Sequence, residues 1–215
     1  MNDEDIPVLK SKQVSIGLTY KKRNWLVSIE NFYKNVSGIT SKSQGFQNQL
    51  EFENLTGTYN TFGTELLIQK QISNITAWVS YAASKNNYIF TTYVPEKFPN
   101  NFEIQHFVAT GVSYKYQNLN FAVGNKWFTG RPTTLPVNET IINNTITYKE
   151  PNSDRLKDYF QTNISASYSH SFKDKCDLKI GASIQNVFNT ENVINQFFRI
   201  NQSTESIEKV NTFFA

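Results

Sequence analysis

From Tyr159 to Val187 the chain reads YFQTNISASYSHSF-KDK-CDLKIGASIQNV, and its residue types alternate along both arms. Phe160, Thr162, Ile164, Ala166, Tyr168 and Phe172 fall on one face of the first arm. Gln161, Asn163, Ser165, Ser167, Ser169 and Ser171 fall on the other. On the second arm Leu178, Ile180, Ala182 and Ile184 alternate with Lys179, Gly181, Ser183 and Gln185. A period of two is the mark of a β-strand, whose successive side chains point to opposite faces. The polar face here is hydroxyl and amide rather than the Lys/Glu mixture of a solvated sheet. Small uncharged polar groups suit a water-filled lumen, and an apolar face ending in aromatics suits lipid. An ordinary sandwich with one wet face fits this hairpin equally well.

The rest of the chain repeats the pattern. Gln13–Lys21 sets Val14, Ile16, Leu18 and Tyr20 against Ser15, Gly17 and Thr19, and a turn follows at Lys22-Arg23. Asn24–Val36 sets Trp25, Val27, Ile29 and Tyr33 against Ser28, Glu30, Phe32 and Lys34. Thr58–Gln71 and Ile75–Ser84 flank a turn at residues 72–74. Ile104–Tyr116 and Leu119–Trp127 flank one at Gln117-Asn118. A long polar segment follows each pair: 37–57, 86–103, 129–158 and 188–210. Loops longer than about 12–15 residues are uncommon in compact soluble domains. Here they recur at one end of every hairpin, which is the asymmetry of outer-membrane barrels. Tyr20, Trp25, Tyr33, Tyr81, Tyr114, Tyr116, Trp127 and Phe172 lie near predicted strand ends, where an interfacial aromatic girdle belongs.

Composition agrees with strands and loops. Aromatics make up 14% of the 215 residues, and mean hydropathy is −0.47. No stretch approaches the roughly 18 apolar residues of a membrane helix, but a transmembrane strand hides its apolar residues by alternation. The net charge of +3 is spread without a basic stripe, which argues against nucleic acid. The single cysteine, Cys176, excludes an intrachain disulfide framework. The start, MNDEDIPVLKSKQ, has neither the basic nor the apolar region of a signal peptide, and residues 1–12 read as an irregular lead-in.

Five segments, in order, resemble a known family: SKQVSIGLTYKKRNWLVSIENFYKNVSGITS, TFGTELLIQKQ, FPNNFEIQHFVATGVSYKY, WFTGRPTTLP and IQNVFNTENV. The last is similar to that family's NLFD/NLFN stretch. The chain resembles the C-terminal part of the barrel of a TonB-dependent outer-membrane receptor of the kind found in Bacteroidetes. The resemblance implies a barrel of about 22 strands around a plug domain, which takes up a scarce ligand with energy from TonB. Siderophores, cobalamin and oligosaccharides are such ligands. Under this reading residues 13–215 are a partial barrel without plug or TonB box, located in the outer membrane. Its partners are outer-membrane lipid, the plug, the remaining barrel strands and, through the plug, TonB. The chain also stops short of the family's final aromatic-ended strand.

No catalytic constellation, phosphate loop or cofactor motif is visible. His106 and His170 lie on different strands without a Cys or carboxylate at ligand spacing, so no metal site is expected. The Asn-X-Ser/Thr triplets at Asn35, Asn54, Asn74, Asn138, Asn163 and Asn201 are unremarkable in so Asn- and Ser-rich a chain. Alternation points Glu30, Lys34, Glu65, Lys126, Gln161, Asn163, Ser165 and Gln185 toward the lumen. They could contact ligand or plug, or could simply hydrate the wall. Trp127, Arg131 and Tyr159 flank the longest loop and are the candidate ligand contacts.

The expected fold is all-β, an antiparallel up-and-down transmembrane barrel segment of about eight to nine strands, open and part of a larger barrel. Gln13–Lys21 should form one free edge, and Asn211–Ala215 should begin a ninth strand beside 176–187. The alternatives are a self-contained eight-stranded outer-membrane barrel with a structural or adhesive role, and a soluble sugar-binding sandwich.

Overall fold

A computed structural model describes residues 7–41, 55–138, 141, 144–172 and 176–214. Eight long strands follow the predicted rhythm: β1 (Lys10–Lys22), β2 (Trp25–Thr40), β3 (Thr56–Ile72), β4 (Ile75–Ile89), β6 (His106–Tyr116), β7 (Leu119–Phe128), β10 (Tyr159–Phe172) and β11 (Cys176–Ile184). Between them come β5 (Lys97–Pro99), β8 (Pro132–Thr133) and β9 (Asp154–Arg155); β12 (Asn192–Asn201) and β13 (Ser206–Phe214) follow. One antiparallel sheet runs β1-β2-β3-β4-β6-β7-β10-β11, with β5 paired to β4 off this path. Among the described residues no ladder joins β1 to β11, so the sheet is an open wall rather than a closed eight-stranded barrel. Among the described residues the other two sheets have only two strands each, so no second large sheet forms a sandwich with it.

The tight turns are built from residues that accept positive φ. Arg23 and Asn24 have φ of 46° and 65°, Ser73 has 50° and Gln117 has 52°. Two-residue turns of this hand match the right-handed twist of the flanking strands. The first turn therefore sits at Arg23-Asn24, one residue beyond its predicted place. The predicted turn at 173–175 lies outside the described residues.

Register fixes how the strands lean. Lys22↔Trp25 closes the first turn, and its row continues through Lys70, Ala77, Val112 and Val123 to Ile164↔Ile184. The last hairpin closes at Phe172↔Cys176, eight residues further along both strands. With the turn tips at one level, this is a slip of about 26 Å over about 29 Å of sheet. The corresponding strand tilt is roughly 40°, inside the range of closed barrels.

The same register sorts the two faces. One row reads Leu18–Ile29–Leu66–Tyr81–Val108–Trp127–Phe160, and the rows beside it carry Tyr33–Phe62 and Val27–Ile68–Val79. Ile164, Ala166 and Tyr168 lie opposite Ile184, Ala182 and Ile180, so the two arms of the last hairpin share one apolar face, as expected. Two polar pairs on this face satisfy one another. Thr64 Oγ1 donates to Asn31 Oδ1 at 2.7 Å, and Thr162 Oγ1 to Asn125 Oδ1 at 2.8 Å. Pairing removes the cost of an unsatisfied polar group in an apolar medium. Lys70 lies 4.4 Å over the Trp25 ring at the turn end, keeping its ammonium beyond the apolar belt.

The buried core sits at the opposite end, where β2, β3 and β4 outrun the belt. Val36, Ile39, Tyr88, Phe90, Tyr93 and Phe98 cluster there, with Leu55 and Tyr59 packed against them. β2 reaches this cluster through a bulge at Ser37/Ile39, with Gly38 at φ +82°. A Cβ on Gly38 would meet the Val8 carbonyl oxygen at 2.4 Å, so the position requires glycine.

Three expectations are corrected. Residues 10–12 belong to β1, because they pair with Asn35–Ser37 on the extended β2. The segment 188–210 is not a loop: Asn192–Asn201 pairs with Ser206–Phe214 in a separate two-stranded sheet. For the same reason 211–214 does not lie beside β11. It pairs with β12 instead, with Gln196↔Asn211 and Val193↔Phe213 in register.

Candidate functional site

The polar face of the sheet and the loops at its far rim hold the candidate site. Glu30, Lys34, Glu65, Lys126, Gln161, Asn163 and Ser165 all project from this face by register, and Gln185 lines the same cavity as Asn163 and Ser165. One row runs from β1 to β10: Gly17–Glu30–Glu65–Ala82–Phe107–Phe128–Tyr159. It carries two directly opposed carboxylates near its start and ends in three stacked rings. Phe107 and Phe128 are 6.1 Å apart, and Phe128 and Tyr159 are 4.4 Å apart. Lys126 lies opposite Gln161 one step nearer the turns.

Large rings on this face lie flat against the wall. Phe32 stands opposite Gly63, and its Cζ would be 2.8 Å from a Cβ added there. Trp78 stands opposite Gly111, with its Nε1 at 2.5 Å from such a Cβ. Glycine at each position lets a bulky neighbour cross the strand without projecting into the space beyond.

Trp127, Arg131 and Tyr159 do not converge. Trp127 pairs with Val108 and Phe160 on the apolar face, the face opposite to Tyr159. Tyr159 is buried on the polar face and donates its hydroxyl to Gln161 Oε1 at 2.6 Å. Arg131 sits in the loop beyond β7. It donates to the Ile194 carbonyl and approaches the Phe102 ring at 5.9 Å. Arg131 thus ties the 129–158 segment to β12, an element that periodicity did not reveal.

The loop rim is built by residues the sequence did not single out. Glu103 is 1% exposed, forms an ion pair with Arg155 and accepts the Asn86 N–H at 3.0 Å. Arg155 also donates to the Gly130 carbonyl at 3.0 Å. Buried Asn152 donates from Nδ2 to Pro99 O and Asn101 Oδ1, and its N–H reaches Thr134 Oγ1. These contacts fold the 129–158 segment onto the segment after β4. They also explain the WFTGRPTTLP stretch. A Cβ on Gly130 would overlap the Leu156 carbonyl oxygen at 1.8 Å, Pro132 and Thr133 form β8, and Thr134 anchors Asn152. Burial pushes the hydroxyl of Tyr88, above the belt at this rim, well up from its ordinary range.

The IQNVFN stretch is a turn that ends β11. Asn186 and Asn189 both have positive φ, and the Asn186 side chain clamps Thr190 N and O at 3.0 and 3.1 Å. β10 continues beyond this point without β11. There the Asn192 side chain takes the place of a strand, accepting from Phe160 N at 2.9 Å and donating to Phe160 O at 3.0 Å. Among the described residues no group of three or more metal-binding side chains occurs.

The chain matches the model of one family, "TonB dependent receptor-like, beta-barrel", over residues 5–187. Among solved structures it is similar to the outer membrane transporter YddB from Escherichia coli. The TM-score is 0.63 at 14% identity, covering 97% of this chain and 32% of that one. It is also similar to the ferric citrate transporter FecA in its unliganded form. There the TM-score is 0.65 at 13% identity, covering 94% of this chain and 30% of that one. The chain thus spans about a third of the length of both, and at this identity the likeness is one of fold. A comparison with curated proteins finds no match.

Proposed function

Because the chain belongs to the TonB-dependent receptor-like β-barrel family, we propose that it forms part of the wall of an outer-membrane receptor that imports a scarce ligand. Ferric siderophore, cobalamin and oligosaccharide are the ligand classes in view. In this reading the apolar face meets lipid and the polar face lines the lumen. A plug domain fills that lumen and couples it to TonB. The two-faced register supports the proposal: across eight strands Ile, Val and exposed aromatic side chains dominate one side, while Ser, Gly, Glu, Lys and amide side chains, with rings such as Phe32 and Trp78 folded onto glycine, populate the other. Such a sheet meets two different media. Glu30 and Glu65, directly opposed, are available to a cation from plug or ligand.

The test is topological. An epitope placed at Ser73-Asn74 or at Ser203-Thr204 in the full-length protein is probed with antibody on intact cells. Only the second should label, and the protein should fractionate with the outer membrane. Ligand uptake by the same cells should require TonB. Labelling at Ser73-Asn74, or recovery in the soluble fraction, would overturn the proposal.

A further inference from the structure

Each tight turn is closed, on the apolar face, by one residue pair. At the later turns these pairs are Ile72↔Ile75, Tyr116↔Leu119 and Phe172↔Cys176, with no charge among them. The first turn is closed instead by Lys22↔Trp25, and Trp25 pairs on its other side with Lys70. Alternation sends Lys115 and Lys179, near the later turns, to the opposite face. At the described turn ends, then, Lys22 and Lys70 are the lysines on the apolar face, and they flank one tryptophan. Neighbouring strands lie about 4.8 Å apart, so the two lysine backbones are roughly 10 Å apart across β2.

The charge here is one-sided. Residues 18–29 and 66–79 contain Lys21, Lys22, Arg23 and Lys70 and no Asp or Glu. Among the described residues no carboxylate forms an ion pair with any of these cations. Lys70 Nζ lies 4.4 Å from the Trp25 ring centroid and donates to the Arg23 carbonyl at 3.3 Å. An ammonium has three donors, so Lys70 is positioned at the rim with donors left for an anion. Trp25 is 42% exposed, so its ring is open to a ligand as well. The next row toward the middle of the wall is Tyr20–Val27–Ile68–Val79. Cations at a rim with an apolar surface directly behind them match the build of a phospholipid, an anionic headgroup continued by acyl chains.

We propose that Lys22, Trp25 and Lys70, with Arg23 in the turn, bind the headgroup of an anionic phospholipid in the leaflet on the turn side. Its acyl chains lie along Tyr20, Val27 and Ile68. The inference rests on the apolar face meeting lipid. Lysine meets phosphate as a point charge, and an interfacial tryptophan packs at headgroup level. A lysine on an apolar surface is tolerated where its ammonium reaches the interface, and an anionic headgroup there adds attraction.

Native mass spectrometry of the purified full-length protein, titrated in detergent with phosphatidylglycerol, phosphatidylcholine or lipid A, tests this. The parent should hold at least one phosphatidylglycerol more tightly than phosphatidylcholine. Lys22→Gln with Lys70→Gln should weaken that binding by about tenfold, and the two arginine substitutions should preserve it. Lys115→Gln with Lys179→Gln, which removes the same charge from the opposite face, should leave it unchanged. If the double glutamine variant fails to fold, Lys70→Gln alone should still weaken the binding severalfold. Equal affinity for the two phospholipids, equal loss in the Lys115 and Lys179 control, or a preference for lipid A overturns the inference. Labelling at Ser73-Asn74 on intact cells would remove the reading beneath it. A receptor inserted as expected that holds both phospholipids alike removes this inference alone.

Discussion

Single residues decide where the wall ends and the loops begin. Asn192 is the clearest case, because one side-chain amide satisfies both backbone groups of Phe160 beyond the end of β11. Leucine has a similar size but no polar atoms. Asn192→Leu should therefore strand an N–H and a C=O, at about 1–3 kcal/mol each where they are shielded from water. Urea unfolding of the full-length protein in lipid should show a lower midpoint, and an unchanged midpoint would refute this role. Glu103 works differently. It is buried and paired with Arg155, and its loss would leave a partly buried guanidinium without its counter-charge, a change of up to roughly 3 kcal/mol. Glu103→Gln should accordingly loosen the loop rim, read as faster proteolysis between residues 129 and 158. Neither residue was legible in the sequence. Each acts through a partner more than 30 positions away, and nothing in local spacing marks such a pair.

At the scale of elements the sequence was legible wherever one face differed from the other. Every long strand, and the facing of Ile29 against Glu30 or Val123 against Lys126, follows from alternation and is repeated in the ladders. The β12–β13 hairpin was missed because alternation fails there. The register shifts between Val193 and Asn195, and the adjacent Phe197 and Phe198 put one ring on each face, so neither face reads as apolar. The candidate site was legible in part. The polar-face residues were visible from period two, whereas Trp127 was grouped with Arg131 and Tyr159 by closeness in sequence and lies on the opposite face from Tyr159. The facing makes a paired prediction. Ile29→Arg, on the apolar face, should cost about 2–4 kcal/mol if that site is near the bilayer midplane. Ser28→Arg, one position away, should cost under about 1 kcal/mol, since it gives up only the hydroxyl contact with Thr19. Equal effects in a lipid refolding titration would contradict the facing. The hairpin itself should respond to acid. The Arg199 hydrogen bond holds the Glu208 carboxyl below its ordinary range. A depressed carboxylate stabilises above its unfolded pKa and loses that contribution as pH falls through the folded one. The protection factors of β12 and β13 amides, taken relative to intrinsic exchange at each pH, should fall on acidification below the usual glutamate range, weakly because the pair is exposed, and Glu208→Gln should remove the dependence.

For the whole molecule, openness and tilt belong together. An eight-residue slip between the first and last turns gives the lean of a barrel wall, yet β1 and β11 remain edges among the described residues. Unpaired edges are not stable in hydrocarbon, where each orphan backbone group costs several kcal/mol. On the proposed reading the sheet acts as a wall only when further strands complete it, and its fold matches about a third of two larger transporters. Rings laid flat over Gly63 and Gly111 keep the polar face clear, which suits a wide lumen that holds other contents. The central claim is that one face of this sheet meets lipid and the other water. Spin labels placed one at a time from Trp25 to Lys34 of the full-length protein in a bilayer test it directly. Collision with oxygen, which is concentrated in lipid, should peak at 27, 29, 31 and 33. Collision with a water-soluble nickel chelate should be greater at 28, 30, 32 and 34. A scan without this alternation, or with the two sets exchanged, would contradict the account.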